Sequence, residues 1–140
     1  MLVPNTLSIA IPFIWAGLVA AISFIEAPVK FKAPGVTLPI GLSIGKRVFS
    51  ALNKTEWGCM VLLLLCLFFR KNIPSPQIFL FVLTAVIILL QSFWLLPALD
   101  RRAKLIIGGQ TPPPSFLHYY YVAGELIKMI CLIALGWLQL

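Results

Sequence analysis

The sequence predicts an all-helical, polytopic membrane protein: a four-helix bundle with an additional amphipathic helix between the first and second spans. Two observations predict it. The chain is 61% hydrophobic and 11% charged, with a mean hydropathy of +1.02, outside the range of ordinary soluble domains. Its apolar residues also fall into long runs cut by proline, glycine and charge, most of them near the roughly 20 residues that cross a bilayer core. With 140 residues in all, the chain forms a single domain over 1–140 and leaves no room for a separate catalytic module. Any function is built within the bundle, at its ends, or with a partner.

Span one covers about residues 7–26 and closes at Glu26 and Pro28, with Pro12 near its start, where a missing N–H matters least. The uncharged start, Met1 to Asn5, lacks the basic region of a secretory signal, so span one is expected to be retained. Ala33, Pro34 and Gly35 read as a turn, and Thr37, Leu38 and Pro39 as a helix start with a threonine cap and a proline in the first turn. The amphipathic helix follows at 38–53, with Lys46, Arg47 and Lys54 toward headgroups and Leu42, Val48, Phe49 and Leu52 toward apolar material. A buried re-entrant helix is the alternative, and the three cations argue against it. Span two, at 55–70, has a charge-free run bounded by Glu56 and Arg70, and the amphipathic helix leads into it. Span three runs over 77–97, with Pro97 kinking its end before Asp100. Span four, at 115–139, follows three consecutive prolines, Pro112 to Pro114.

The cations flank the spans unevenly. Lys30, Lys32, Lys46, Arg47, Lys54, Arg101, Arg102 and Lys104 lie in the first and third connections, and only Arg70 and Lys71 in the second. The positive-inside rule then places connections one and three in the cytoplasm and both termini outside, with a bacterial inner membrane as the expected location. The net charge of +7 is accounted for by this bias and by contact with anionic headgroups. Nucleic-acid binding needs a folded basic reader, and the sequence offers none. Cys59, Cys66 and Cys131 all fall within spans without metal-ligand or redox spacing, so they read as small apolar filling. Two histidine ligands to a haem are excluded, because His118 is the chain's one histidine. No cofactor is predicted.

The most informative polar residues lie on span four. His118, Tyr121, Glu125 and Lys128 follow spacings of three, four and three, which puts them on one helical face. An ionisable group at mid-bilayer costs about 2.5–3.5 kcal/mol on insertion scales, so it normally has a partner or a task. Glu125 and Lys128 can neutralise each other as an intrahelical pair, or form a ligand or proton site facing the bundle interior. Both readings stand. The four-span topology also gathers Glu26, Asp100 and His118 at one membrane face, with Lys30, Arg101 and Arg102 nearby. That group can make interfacial salt bridges, bind an anionic headgroup, relay protons, or hold a metal through His118 and Glu26. Interfacial salt bridging is the preferred reading. Ser23, Thr84 and Gln91 read as interhelical hydrogen-bonding groups. Trp57, Trp94, Trp137 and the tyrosine run at 119–121 are expected in interfacial belts. Trp15 lies deeper, where it lines a cavity or simply packs.

The order of features resembles small bacterial four-span proteins of the domain of unknown function 4149 family, related to transmembrane-protein-205-like proteins. The residues that carry the resemblance are Ala27-Pro28 with Phe31, Gly45-Lys46-Arg47-Val48-Phe49, Leu96-Pro97, and Phe116 with His118. A more distant likeness is to the anthrone-oxygenase-like four-span family. Neither resemblance implies a mechanism, and the Glu125–Lys128 pair is not carried over from either. Three functions therefore remain open. The first is a non-enzymatic bundle that binds or moves a small solute, metal ion or lipid through the span-four stripe. The second is an accessory subunit of a larger membrane complex. The third is a membrane enzyme acting on a hydrophobic substrate, with His118 or Glu125 as acid or base; it is the weakest, because few polar groups converge. A homo-oligomer with Glu125 at its interface is also compatible with the sequence.

Overall fold

In a computed structural model, the structure describes residues 2–140. Met1, where the uncharged start begins, lies outside the described residues. The first span is α1 (Leu2–Val19), which widens into a π-helical stretch, Ala20–Glu26, and ends as the short α2 (Ala27–Lys30). A tight turn leads to α3 (Leu38–Phe68). The third span is α4 (Ser75–Leu90), a second π-helical stretch, Gln91–Leu95, and α5 (Leu96–Ile107); α6 (Leu117–Trp137) is the fourth. All four units are long and apolar enough to cross a membrane. The described residues form an all-α membrane bundle.

One boundary differs from the sequence expectation. The amphipathic segment at 38–53 and the second span at 55–70 are one uninterrupted helix of 31 residues, about 46 Å at 1.5 Å per residue. No glycine–proline break or cap separates the two parts. Leu52, Glu56, Met60, Leu63 and Leu67 are all buried and follow helical spacing, so a single buried stripe runs through the supposed junction. Gly41 and Gly45 extend it toward the N-terminus. Arg47 and Lys54 remain exposed on the outer side, where long cationic side chains can reach the headgroups. Thr37 does occupy the helix-start position in an extended conformation, with Pro39 in the first turn, although its hydroxyl makes no cap bond.

Both π-helical stretches end two residues before a proline, Pro28 and Pro97. Proline has no N–H to return to the carbonyl four residues back. The chain responds with wider turns: the N–H of Ala27 bonds the carbonyl of Ile22, and that of Leu96 bonds the carbonyl of Gln91, each five residues apart. The expected disturbance near Pro97 is thus a π-turn ahead of it. The helix then continues, so Asp100, Arg101, Arg102 and Lys104 sit on α5 and not in a loop.

Helix α1 packs against both α6 and α3, α4 against α6, and α3 against α5. That pairing closes a ring in which α3 and α6 are diagonal. Trp15, Ala16, Val19, Met60, Ile88 and Leu132 form one core cluster; Ile11, Leu63, Cys66, Leu67 and Leu135 form another. Large apolar side chains such as Ile14, Phe68, Phe93 and Ile130 point outward, as lipid contact requires.

A polar clasp ties the end of the bundle that holds Arg70. Its guanidinium donates to Gln77 at 3.3 Å and to Gln139 at 2.9 Å. Gln77 in turn donates to the Leu138 carbonyl, and Gln139 to the Ser8 carbonyl. All four spanning units are joined there.

Candidate functional site: a buried acid–base cluster below a basic vestibule

Glu125 and Lys128 lie on α6, near its middle, and both are fully buried. They are not a self-contained pair. The Lys128 ammonium donates to Glu125 Oε1 at 2.7 Å and to Gln91 Oε1 at 2.6 Å. It also forms an ion pair with Glu56 Oε1 of α3. An ammonium has three donors, and here all three have partners. The diagonal helices α3 and α6 therefore meet through the Lys128–Glu56 contact at the bundle centre.

Glu125 is satisfied on both oxygens. Gln91 Nε2 donates to Oε1 at 2.7 Å, and the Ser23 hydroxyl donates to Oε2 at 2.7 Å. Ser23 and Gln91 each lie within a π-helical stretch, so the wide turns forced by Pro28 and Pro97 are where these partners originate. Gln91 also relies on Gly124: a Cβ there would stand 3.2 Å from its Nε2. Glu56 has a different environment. Trp15 Nε1 donates to its Oε1 at 3.0 Å, whereas its Oε2 is buried with no hydrogen-bond partner. The Tyr121 hydroxyl, one turn before Glu125, is likewise buried and unpartnered, with its ring edge-on to Phe49 at 5.4 Å.

A cavity of about 450 Å³ opens above this cluster, toward the end of the bundle opposite the clasp. Ser23 and Tyr121 belong to its lining, along with Phe24, Phe31, Phe49, Leu99, Ile106 and Val122. Lys30, Lys46, Arg102 and His118 add the polar part, against one lining carboxylate, Asp100. Lys30 bonds Glu26 at 3.2 Å and stands 5.6 and 5.5 Å from the ring centres of Phe31 and Phe49, a cation–π arrangement. Gly45 makes room for it, because a Cβ there would come within 2.8 Å of the ammonium. Lys46 faces Asp100 at 3.8 Å, and Arg102 donates to the Pro113 carbonyl.

The structure distributes the sequence-derived candidates accordingly. Glu125, Lys128 and Tyr121 come together at the centre, and His118 stays exposed at the cavity, outside the hydrogen-bonded cluster. Lys30, Asp100 and Arg102 join His118 around the cavity, Glu26 reaches it through Lys30, and Arg101 is exposed and not part of the lining. Among the described residues no group of three or more His, Cys, Asp and Glu side chains could hold a metal ion. Glu125 is buried by its own chain, so its burial needs no second copy. Thr84 bonds the Leu80 carbonyl of its own helix, whereas Ser23 and Gln91 do bond across helices. Trp57 is mid-helix in α3 and donates to Ser92 at 2.9 Å. Trp94 and Trp137 are exposed.

Two site residues were not anticipated. The sequence marks Glu56 as a span boundary and leaves Trp15 to line a cavity or simply pack. The signal for Glu56 lay in the stripe from Leu52 to Leu67, which places it on the apolar face of a helix. Trp15 carried no signal beyond its depth.

A family model with the description Domain of unknown function (DUF4149) matches residues 12–105. The chain belongs to this family. The DUF4149 match takes in Trp15, Ser23, Glu56 and Gln91 and ends before α6, which contributes Glu125 and Lys128. No curated protein and no solved structure matches this DUF4149 chain.

Proposed function

We propose that this membrane protein binds a small amphipathic anion in the cavity at its basic end, with the buried cluster as the polar floor of the site. The observation that carries this reading is the mixed lining: three cations against one carboxylate at the rim, and aromatic and aliphatic walls below. A volume of about 450 Å³ lies within the range of small-molecule sites, which combine apolar walls with a few placed polar groups. Ser23 is shared between the cavity and Glu125, so an occupant reaching it is in register with the cluster. The acid head sits among Lys30, Lys46 and Arg102, and the apolar body lies along Phe24, Phe31 and Leu99.

Ligand-linked stability tests the proposal, since a ligand that binds the folded state raises its melting temperature. The purified protein in a neutral detergent is titrated with laurate, dodecyl phosphate and dodecyltrimethylammonium. The two anions should raise Tm and the cation should not. Leu99→Trp, which fills the cavity, should remove the shift while the helical circular dichroism is kept. Equal shifts with both charge types, or none, would count against the reading.

We further propose a bacterial inner-membrane location with the basic end in the cytoplasm and both termini outside; the clustering of cations at that end supports it. A cytoplasm-only fluorescent reporter fused after Leu140 should stay dark, and a periplasm-only phosphatase in the same place should be active. The opposite pattern would reverse the orientation.

A further inference from the structure

The cluster contains two carboxylates and one ammonium, all fully buried, and this inequality has a chemical solution. We infer that Glu56 is a proton-binding site: at rest Glu56 is a neutral acid protonated on Oε2, Glu125 is a carboxylate, and Lys128 is an ammonium. The inference goes beyond the proposed anion site and does not depend on it.

Hydrogen bonding assigns the proton. Glu125 accepts from Ser23, Gln91 and Lys128 over its two oxygens, so both oxygens already face donors. The orientation of Gln91 agrees, with its N–H toward Glu125 and its carbonyl toward Lys128; the reversed amide would set acceptor against carboxylate and donor against ammonium. On Glu56 every donor bond falls on Oε1, and Oε2 has none. A bare, dry carboxylate oxygen is the least stable place for negative charge, and the place where a proton removes most of the desolvation cost. The ionisable groups facing Glu56 are Lys128, Glu125 and Tyr121 from α6 and Cys59 from its own helix; α1 presents Trp15. Protonating Glu56 makes the sum of the formal charges zero.

The cluster is also linked to the cavity. Ser23, Glu125 and Lys128 form a hydrogen-bonded series from the cavity to Glu56. Loss of the proton leaves a net charge of −1 at the centre, so release is favoured when a cation enters the cavity and opposed when an anion does.

Infrared spectroscopy in an ester-free maltoside detergent reads the proton directly. The wild-type protein at neutral pH should show one carboxylic-acid carbonyl band that shifts in D₂O. The band should vanish in Glu56→Gln and also in Glu125→Gln, because either change leaves one carboxylate matched to Lys128. Lys128→Met should show two acid carbonyls. Trp15→Phe should move the wild-type band and Ser23→Ala should leave it in place, since only the former touches Glu56. Absence of the acid band in the wild type overturns the proposal whatever the variants do. Two wild-type bands, or a band that follows Ser23 instead of Trp15, overturn it equally.

Discussion

Lys128 is the residue on which the centre of the molecule depends. It contacts Glu56, Glu125 and Gln91, and removing one partner of a buried ionic group typically costs about 3–5 kcal/mol, here because Glu125 must take up a proton against the donors Ser23 and Gln91 that face its oxygens. Lys128→Met should therefore lower unfolding stability by about that amount, measured by denaturant titration in mixed micelles. The two glutamates should respond unequally. Glu56→Gln replaces a neutral acid with a neutral amide of the same shape and should cost about 1 kcal/mol or less. Glu125→Gln turns one of its acceptor oxygens into a donor amide among Ser23, Gln91 and Lys128, and should cost about 2–3 kcal/mol. Equal losses in the two variants would contradict the different hydrogen bonding of the two side chains. The Glu125–Lys128 relation was legible in the sequence because helical spacing is local. Glu56 was not, because its partner lies 72 positions away and nothing in a single sequence pairs α3 with α6.

At the scale of the helices, the two π-turns decide which side chains point inward. Each inserts an extra residue per turn, and Ser23 and Gln91 lie within the widened segments. Pro97→Ala restores the missing N–H and permits a regular α-helical register through Gln91–Leu95. Gln91 would then rotate away from Glu125 and Lys128, and stability should fall by about 1–3 kcal/mol with little loss of helical circular dichroism. An unchanged thermal midpoint would show that the wide turn is independent of the proline. The prolines were visible in the sequence, and so was the prospect of a disturbance near Pro97. Its form was not, since bend, break and π-turn all follow from one missing donor. The continuity of α3 was obscured for a related reason: Lys46, Arg47 and Lys54 gave its first half the composition of a surface helix, whereas its buried side is set by Gly41, Gly45 and Leu52. Four spans were legible because hydrophobic length is additive along the chain. The cavity was not, because its lining is drawn from four stretches far apart in the chain.

For the molecule as a whole, polarity is concentrated at the centre and at the two ends, with apolar layers between and around. Arg70→Ala removes two charge-assisted hydrogen bonds from the clasp and should lower stability by about 1–3 kcal/mol, read as a lower thermal midpoint in detergent. Because Arg70 is remote from the cavity, the shift induced by laurate should survive. The clasp and the cavity lie at opposite ends, and that asymmetry has a mechanical consequence. One end is pinned across all four spans, while at the other α2, α3, α5 and α6 surround open space, and among the described residues one ion pair there, Lys46–Asp100, joins two of these helices. The bundle resembles tongs with a fixed pivot at Arg70 and a central catch at Lys128. If the catch is held by the balance of charge between Glu56, Glu125 and Lys128, then gain or loss of one proton sets how firmly the jaws are closed.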